Sequence, residues 1–523
     1  MTTSRRSFLR NVSLGTLGLC WAPAQGESPL AKLVRSTPEA EGVSSAGILT
    51  FLEEMEATNH ELHSFMILRH GKVVAEGWWD PYAADLRHTM YSMSKSFTST
   101  AVGFAVSEGK LSVEDKVISF FPDDVPATVS ENLAKLKVKH LLTMSVGNEK
   151  EPTGEVVKSE NWVHTFLAQN ISHEPGTEFL YNSAATYMCS AIVQKLTGQT
   201  VLDYLTPRLF APLGVSGMAW ESCPRGINTG GWGLSITTET MAKFGQLYLQ
   251  KGQWNGQQVL PAAWVEEATT FKIQQPARKG TKRPKETDDW QQGYGYQFWR
   301  CQNGAFRGDG AFGQFTIVLP KQDAVVIMTS ETKDMQGQLD LVWKHLLPAM
   351  TKTEASQGLA TRLRSLALPV PKSEGDAAWI SQIHDKAFKL EANDLGFTEL
   401  GFRHSDGGLR LEIKTANTTH YVNHGSLNWL RGTAAIPGTP PRLIAGGKPA
   451  QTPKSKIAAA FASKPGRTLE LVWRYYETPH HDRVTCVFDE AGKQVEVSFV
   501  NSLAAMSGAK KDTRPVLKGT ASA

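Results

Sequence analysis

A serine hydroxyl becomes a nucleophile when a base sits one helical turn away. The run Tyr91-Ser92-Met93-Ser94-Lys95-Ser96-Phe97-Thr98 offers that pairing in Ser92 and Lys95. The spacing alone is not selective, since it recurs at Ser107/Lys110, Ser330/Lys333 and Ser507/Lys510. Context separates the four. Ser107 lies where a helix runs out into Glu108-Gly109, Ser330 follows a strand-like run at 325–328, and Ser507 sits in a basic tail of small residues; each reads as solvated surface. Ser92 instead opens a helical stretch to about Val106, with Ala101, Val102, Ala105 and Val106 on its later turns and Gly109 as its stop. Its hydroxyl is thereby placed near unpaired backbone N–H groups and the positive end of the helix dipole. An N-cap is the ordinary role of a serine there, and two further motifs weigh against it.

The second motif, Gly176-Thr177-Glu178-Phe179-Leu180-Tyr181-Asn182-Ser183, precedes a helix expected from about Ala184. Tyr181 and Ser183, two positions apart, can point into one cleft, where Tyr181 shares a proton with Ser92 and Lys95 while Ser183 contacts substrate or Lys95. The third, Arg307-Gly308-Asp309-Gly310-Ala311-Phe312-Gly313-Gln314-Phe315, is a glycine-rich edge leading into a strand. Glycines let a substrate approach backbone, and an N–H here can face the one at Ser92 across a carbonyl oxygen. Two such donors form an oxyanion hole, and removing one typically costs about 3–4 kcal/mol of transition-state stabilisation. Taken singly, the second motif also fits a buried tyrosine before a helix cap, and the third a plain hairpin turn.

The elements that must position these residues are legible in outline. Ser44 or Ser45 caps a helix to about Thr58, and two strands flank His70-Gly71. A helix-rich region runs from Ser92 to about 215, residues 234–250 read as helix, and 272–290 read as a solvated loop. Strands are expected at 294–300, 314–319 and 324–328, then a closing helix at 337–347. Residues 351–375 have a linker-like composition. Beyond them the period becomes two, with Leu409, Leu411 and Ile413, then Leu469 and Leu471, then Val495, Val497 and Phe499 alternating with polar residues. The fold class is therefore α/β: an antiparallel sheet flanked by helices with an all-helical subdomain over 31–350, followed by a small antiparallel β domain, sandwich or barrel, over 376–505 and a disordered tail from 506 to 523.

The whole chain of 523 residues carries a formal charge of +4. The start, Ser4-Arg5-Arg6-Ser7-Phe8-Leu9-Arg10 with Ala22-Pro23-Ala24 downstream, is similar to a twin-arginine export signal over residues 1–24. Its removal leaves about +1, which gives no reason to expect a nucleic-acid partner. No later run has the ~18 apolar residues of a membrane span. Cys189, Cys223, Cys301 and Cys486 are too few and scattered for a disulfide framework, although one disulfide is permitted in an exported protein. His60-Glu61-Leu62-His63 and His480-His481-Asp482 lack metal-ligand spacing and read as solvated polar clusters, so no metal is implied.

The three motifs, in this order and at these intervals, resemble the serine β-lactamase and penicillin-binding-protein superfamily, nearest to its class C-like esterases, D-peptidases and amide hydrolases. The similarity covers about residues 35–350 and includes His140-Leu141-Leu142-Thr143-Met144-Ser145, Gly231-Trp232-Gly233-Leu234 and Gly293-Tyr294-Gly295-Tyr296. The β-rich region is similar, around residues 471–479, to a lipocalin-like domain appended to some of these hydrolases. The resemblance implies that Ser92 is the acylated nucleophile, Lys95 the base or proton relay, and Tyr181 the group that moves a proton to the leaving group. Ser92 and Ala311 would supply the oxyanion N–H groups, and Ser183, Asp309, Gly310 and Trp232 would line the substrate site, with no cofactor. A neutral Lys95 needs a pKa lowered by about three pH units, or ~4 kcal/mol, and burial beside Tyr181 must supply it.

This sequence departs from the family pattern twice. Tyr-x-Asn has become Tyr181-x-Ser183, and the Lys-Thr-Gly strand aligns with Gly308-Asp309-Gly310, so the usual carboxylate-holding cation is absent unless Arg307 compensates. The expected function is an exported serine hydrolase acting on a small ester, amide or D-amino-acid peptide, with weak or no β-lactamase activity. The alternative is a slow penicillin-binding-protein-like sensor that binds a cell-wall fragment.

Overall fold

Period-two burial defines the first layer of the structure. Along β1 (Glu61–Arg69), Phe65 and Ile67 enter one apolar cluster while Met66 and Leu68 enter another, so the strand is covered on both faces. With β2 (Lys72–Trp78), β3 (Trp299–Arg300), β4 (Phe306–Gly310), β5 (Gln314–Leu319) and β6 (Ala324–Glu331) it makes a six-stranded antiparallel sheet ordered β2-β1-β6-β5-β4-β3. His70 and Gly71, both at positive φ (51° and 73°), close the β1–β2 hairpin as a two-residue turn requires. This computed structural model describes residues 32–277, 280–405, 407–447 and 454–522. The expected signal over 1–24 lies outside the described residues.

One face of the sheet is covered by α1 (Ser45–Ala57), capped by the Ser44 hydroxyl, and by helical turns from 335 to 349. Against the other lie α2 (Ser94–Ser107), α3 (Ser183–Thr197) and α4 (Thr238–Leu249) with the smaller helices between them. Every residue of α2 from Ser94 to Ala105 is buried, the signature of a helix through the middle of a domain. Three of its hydroxyls tie it to neighbours: Ser96 donates to the Gln297 carbonyl, Thr98 to the Gly230 carbonyl, and Thr100 bonds Tyr248.

Several local expectations are corrected. Residues 234–236 form a strand, Leu234–Ile236, before the helix starts at Thr238. The 272–290 segment is not wholly solvated: Asp288 and Asp289 are fully buried, and Asp289 accepts from Gln302, Gln336 and Trp343. Ser330 is buried rather than exposed, donating to the Phe312 carbonyl at 2.7 Å.

The C-terminal domain is larger than expected and takes the barrel form of the two that alternation allows. Its strands are β7 (Lys386–Leu390), β8 (Phe397–Ser405), β9 (Gly408–Thr415), β10 (Thr419–Gly425), β11 (Leu430–Ala434), β12 (Ser455–Lys464), β13 (Thr468–Arg474), β14 (His481–Phe488), β15 (Gln494–Asn501) and β16 (Leu517–Ala521). Nine of them run in the order β10-β9-β8-β7-β16-β15-β14-β13-β12, and a short parallel pairing of β10 with β12 closes the ring; β11 pairs with the start of β12. The domain is a mixed barrel, not a small antiparallel sheet, because alternation reveals strands but not how their edges close. The segment expected as a disordered tail supplies β16, which bridges β7 and β15 with Leu517 buried.

The linker-like segment is also structured, with a helix at Gly358–Arg364 and Leu359, Leu366 and Leu368 buried against the six-stranded sheet. Trp429, Ala458, Val472 and Tyr476 of the barrel join the same cluster, so the two domains share a core. Among the described residues the four cysteines are buried and free, and no helix is long and apolar enough to cross a membrane.

Candidate active site

Ser92 does not cap a helix. It sits in a 3-10 turn, Tyr91–Met93, ahead of α2, and the turn is pinned by Ser94, whose hydroxyl donates to the Tyr91 carbonyl (2.6 Å) and accepts the Leu234 N–H (3.1 Å). Asn182 takes the capping role at α3, its side chain accepting from the Ala185 N–H at 2.9 Å. The helix thus starts one residue earlier than expected, with Asn182 rather than Ser183 as its cap, and the Ser183 hydroxyl faces inward to Lys95.

These elements converge on the Lys95 amine. Lys95 is 1% exposed, and its Nζ lies 3.0 Å from Ser92 Oγ, 3.0 Å from Ser183 Oγ and 2.7 Å from the Gly231 carbonyl oxygen. Burial pushes its pKa down to about 7, against the opposing pull of Glu151 and Asp309. A neutral amine has two N–H donors and one lone pair. The Gly231 carbonyl can only accept, so it takes one N–H; with Ser183 accepting the other, the Ser92 O–H points into the lone pair. That is the hydrogen-bonded arrangement a general base requires.

Tyr181 closes the site. Its ring centroid lies 4.8 Å from Lys95 Nζ and stacks on Trp299 at 5.6 Å. Burial raises its pKa above the ordinary phenol value, with a hydrogen bond to Ser92 pulling the other way. A phenol so placed keeps its proton and can donate it, which leaves the base role to Lys95.

The β4 edge approaches the nucleophile turn because it carries glycine. A Cβ on Gly310 would stand 2.2 Å from the Met90 carbonyl oxygen, and one on Gly308 would crowd Ser96 and Met93. Ala311 follows in the turn to β5 and lines, with Ser92, Tyr181, Asp309, Trp290 and Trp299, a cleft of about 440 Å³. Asp309 is not a free repulsive charge. Arg307 Nε donates to it at 2.8 Å, and the fully buried guanidinium also donates to the Asp289 carbonyl and lies over Trp290 at 4.4 Å. Burial raises the Asp309 pKa while Arg307 opposes that rise.

Ser92, Lys95, Tyr181, Ser183, Asp309, Gly310 and Ala311 are thus brought together. Trp232 is not: it is buried against Trp162 at 5.8 Å, away from the Ser92 cleft, and its backbone carbonyl holds Trp220. The neighbouring Gly231 does the work at the site through its carbonyl, and a Cβ there would meet the Ser183 carbonyl oxygen at 2.7 Å. Sequence reasoning also missed Trp290 and Trp299 as cleft walls. The adjacent tyrosine–glycine run was the available signal for Trp299; Trp290 had none.

The two polar clusters expected on the surface are instead the centre of the domain junction. His63, His480 and Asp482 are fully buried. Arg474 of the barrel donates to both oxygens of Glu61 (2.7 and 2.9 Å), and His480 and His481 hold the two oxygens of Glu331 (2.6 and 3.0 Å). Ligand atoms of Glu61, Glu331 and His481 lie within 4.8 Å of one another, and hydrogen bonds from Arg474, His480 and His481 already engage both carboxylates.

Comparison with known proteins agrees with this architecture. The family model described as Beta-lactamase matches residues 51–347. A 6-aminohexanoate-dimer hydrolase of Paenarthrobacter ureafaciens is 27% identical, the match covering 57% of this chain and 80% of that protein. A D-aminopeptidase of Brucella anthropi is 25% identical over 28% of this chain and 31% of its own length. A solved Bacillus anthracis structure, provisionally named as a 6-aminohexanoate-dimer hydrolase, superposes with a TM-score of 0.50 at 19% identity, over 62% of this chain and 88% of its own.

Proposed function

The chain belongs to the beta-lactamase family, and from that premise we propose that it is an exported serine hydrolase that acylates Ser92 with a small ester, amide or D-amino-acid peptide and releases the acyl group to water. The observation that carries the reading is the buried Lys95 amine, brought to a pKa of about 7 and held 3.0 Å from Ser92 Oγ. As Oγ attacks the substrate carbonyl, Lys95 takes the hydroxyl proton. The developing oxyanion is received by the N–H groups of Ser92 and Ala311, and Tyr181 passes a proton to the leaving group. The proton on Lys95 then restores Tyr181; water attacks the acyl ester and gives its proton to Lys95, which returns it to Ser92 Oγ as the ester bond breaks.

An amide is the favoured substrate, because the relative matched over most of its length is named for an amide dimer. A β-lactam is disfavoured. The strand position that would carry a carboxylate-holding cation is Asp309, and at the cleft mouth Lys333 is offset by Asp334. We read the barrel as lipocalin-like in shape but packed inside, with Phe388, Phe402, Trp473 and Phe488 filling it. Export rests on the arginine pair at the start of the chain, and Arg5→Lys/Arg6→Lys should retain the protein in the cytoplasm on cell fractionation.

Fluorophosphonate labelling followed by peptide mass spectrometry tests the proposal. Modification confined to Ser92 and lost in Ser92→Ala is expected; a folded wild-type protein that stays unlabelled would defeat it.

A further inference from the structure

The nucleophile turn is braced from behind by the C-terminal barrel. His480, fully buried in the loop between β13 and β14, hydrogen-bonds Tyr91 Oη through Nε2. Its Nδ1 reaches Glu331 Oε1 at 2.6 Å and Ser502 Oγ at 3.1 Å. Burial of Glu331 is outweighed by its hydrogen bonds with His480 and His481, which bring its pKa to about 2, so it is a carboxylate and takes the Nδ1 proton. Nε2 is then free to accept from the tyrosine hydroxyl.

The rings of Tyr91, His480 and Phe312 also pack edge to face in a closed triangle, with centroids 5.7, 5.1 and 5.4 Å apart. Their chain positions give the triangle its meaning. Tyr91 immediately precedes Ser92 and Phe312 immediately follows Ala311, the two residues whose N–H groups the proposed mechanism assigns to the oxyanion. Both aromatics lie in the left-handed region, at φ 47° and 69°, where a bulky side chain is held only if its surroundings over-determine it. Further barrel contacts hold the segment that leads into the nucleophile turn: the Glu477 carbonyl accepts the Thr89 N–H at 3.0 Å, and the Thr478 carbonyl accepts from Tyr82 Oη at 3.0 Å.

We infer that His480 is a positioning residue that sets the two oxyanion N–H groups through Tyr91 and Phe312, which makes the barrel a working part of the active site. The inference rests on the reading of Ser92 as nucleophile. His480 touches neither substrate nor reacting atoms; its effect is on where the backbone donors point. Loss of that support should slow the chemical step and leave ground-state binding little changed, because the donors tighten on the oxyanion only in the transition state.

The test compares wild type, His480→Ala, His480→Gln and Tyr91→Phe in the full chain, with p-nitrophenyl acetate turnover and fluorophosphonate labelling rate as readouts and circular dichroism as the check on folding. His480→Ala should lower kcat and the labelling rate about 10- to 100-fold while KM moves less than about threefold, the scale expected for sub-ångström misplacement. His480→Gln, which can still meet the tyrosine hydroxyl, should recover part of the loss. Tyr91→Phe removes one hydroxyl and should show the same pattern more weakly, and it decides the matter if His480→Ala does not fold. Folded variants with wild-type kcat, or a loss confined to KM, would overturn the inference. An unlabelled wild type would instead defeat the serine-hydrolase reading, so the two failures are distinct.

Discussion

Deprotonation of Lys95 should be visible directly in the pH dependence of the reaction. The amine moves from 10.5 to about 7 on burial, a displacement that disfavours the ammonium by ~5 kcal/mol. A base of that kind is competent only when neutral. With an ester substrate, kcat/KM should therefore rise about tenfold per pH unit below 7 and level off above it. The limb can be assigned by moving it. Asp309 and Glu151 both raise the Lys95 pKa, so Asp309→Asn and Glu151→Gln should each shift the limb toward acid.

The sign carries over to stability. Between about pH 7 and 10.4 the unfolded chain holds a proton on Lys95 that the native one has released, so stability from this group rises with pH in that window. Below pH 7 both states are protonated and the full penalty remains. Lys95→Met should then be inactive yet no less stable than wild type at pH 7 by urea titration, the relieved burial of charge offsetting the three lost contacts. A rate profile flat from pH 5.5 to 9, or a limb indifferent to both acidic substitutions, would refute the reasoning.

Gly310→Ala should cost about 2 kcal/mol or more and most of the activity, since its Cβ would fall 2.2 Å from the Met90 carbonyl oxygen; an active, equally stable variant would contradict the close approach. Arg474→Met should destabilise the chain by about 2–4 kcal/mol in urea, because it takes the bidentate partner from Glu61 at the domain junction and leaves only His63 on that carboxylate; a change under ~1 kcal/mol would show the pair to be marginal. Nitrocefin should be turned over weakly or not at all, and Asp309→Lys should improve it if the missing cation is the reason; rapid wild-type turnover would exclude that explanation.

Where chemistry was local, it was legible. Ser92 and Lys95 are one turn apart, Tyr181 and Ser183 two residues apart, and Gly308 and Gly310 alternate on a strand, so each motif lies in a short run, and the order and intervals of the three, through their resemblance to one family, joined them in a cleft. Contacts made by backbone or across long separations left no such trace. The Gly231 carbonyl that binds Lys95 has no side-chain signature, and attention fell on its neighbour Trp232, whose size marks core rather than cleft. His63, His480 and Asp482 looked solvated because their neighbours are polar, yet each is buried against partners its motif does not announce: His63 against His88 and Tyr82, Asp482 against Tyr475 and Arg514, and His480 against Tyr91 and Glu331 of the other domain. The same limit hid β16: Leu517 and its neighbours carry too little alternation to announce a strand, and only the open edges of β7 and β15 require one.

The most direct test of the central claim is acid-quenched mass spectrometry of the protein during turnover of a p-nitrophenyl ester. An acyl group on the peptide containing Ser92, absent from Ser92→Ala and accumulating in Tyr181→Phe, is the predicted result. Turnover with the acyl group on another residue, or catalysis that survives Ser92→Ala, would contradict it.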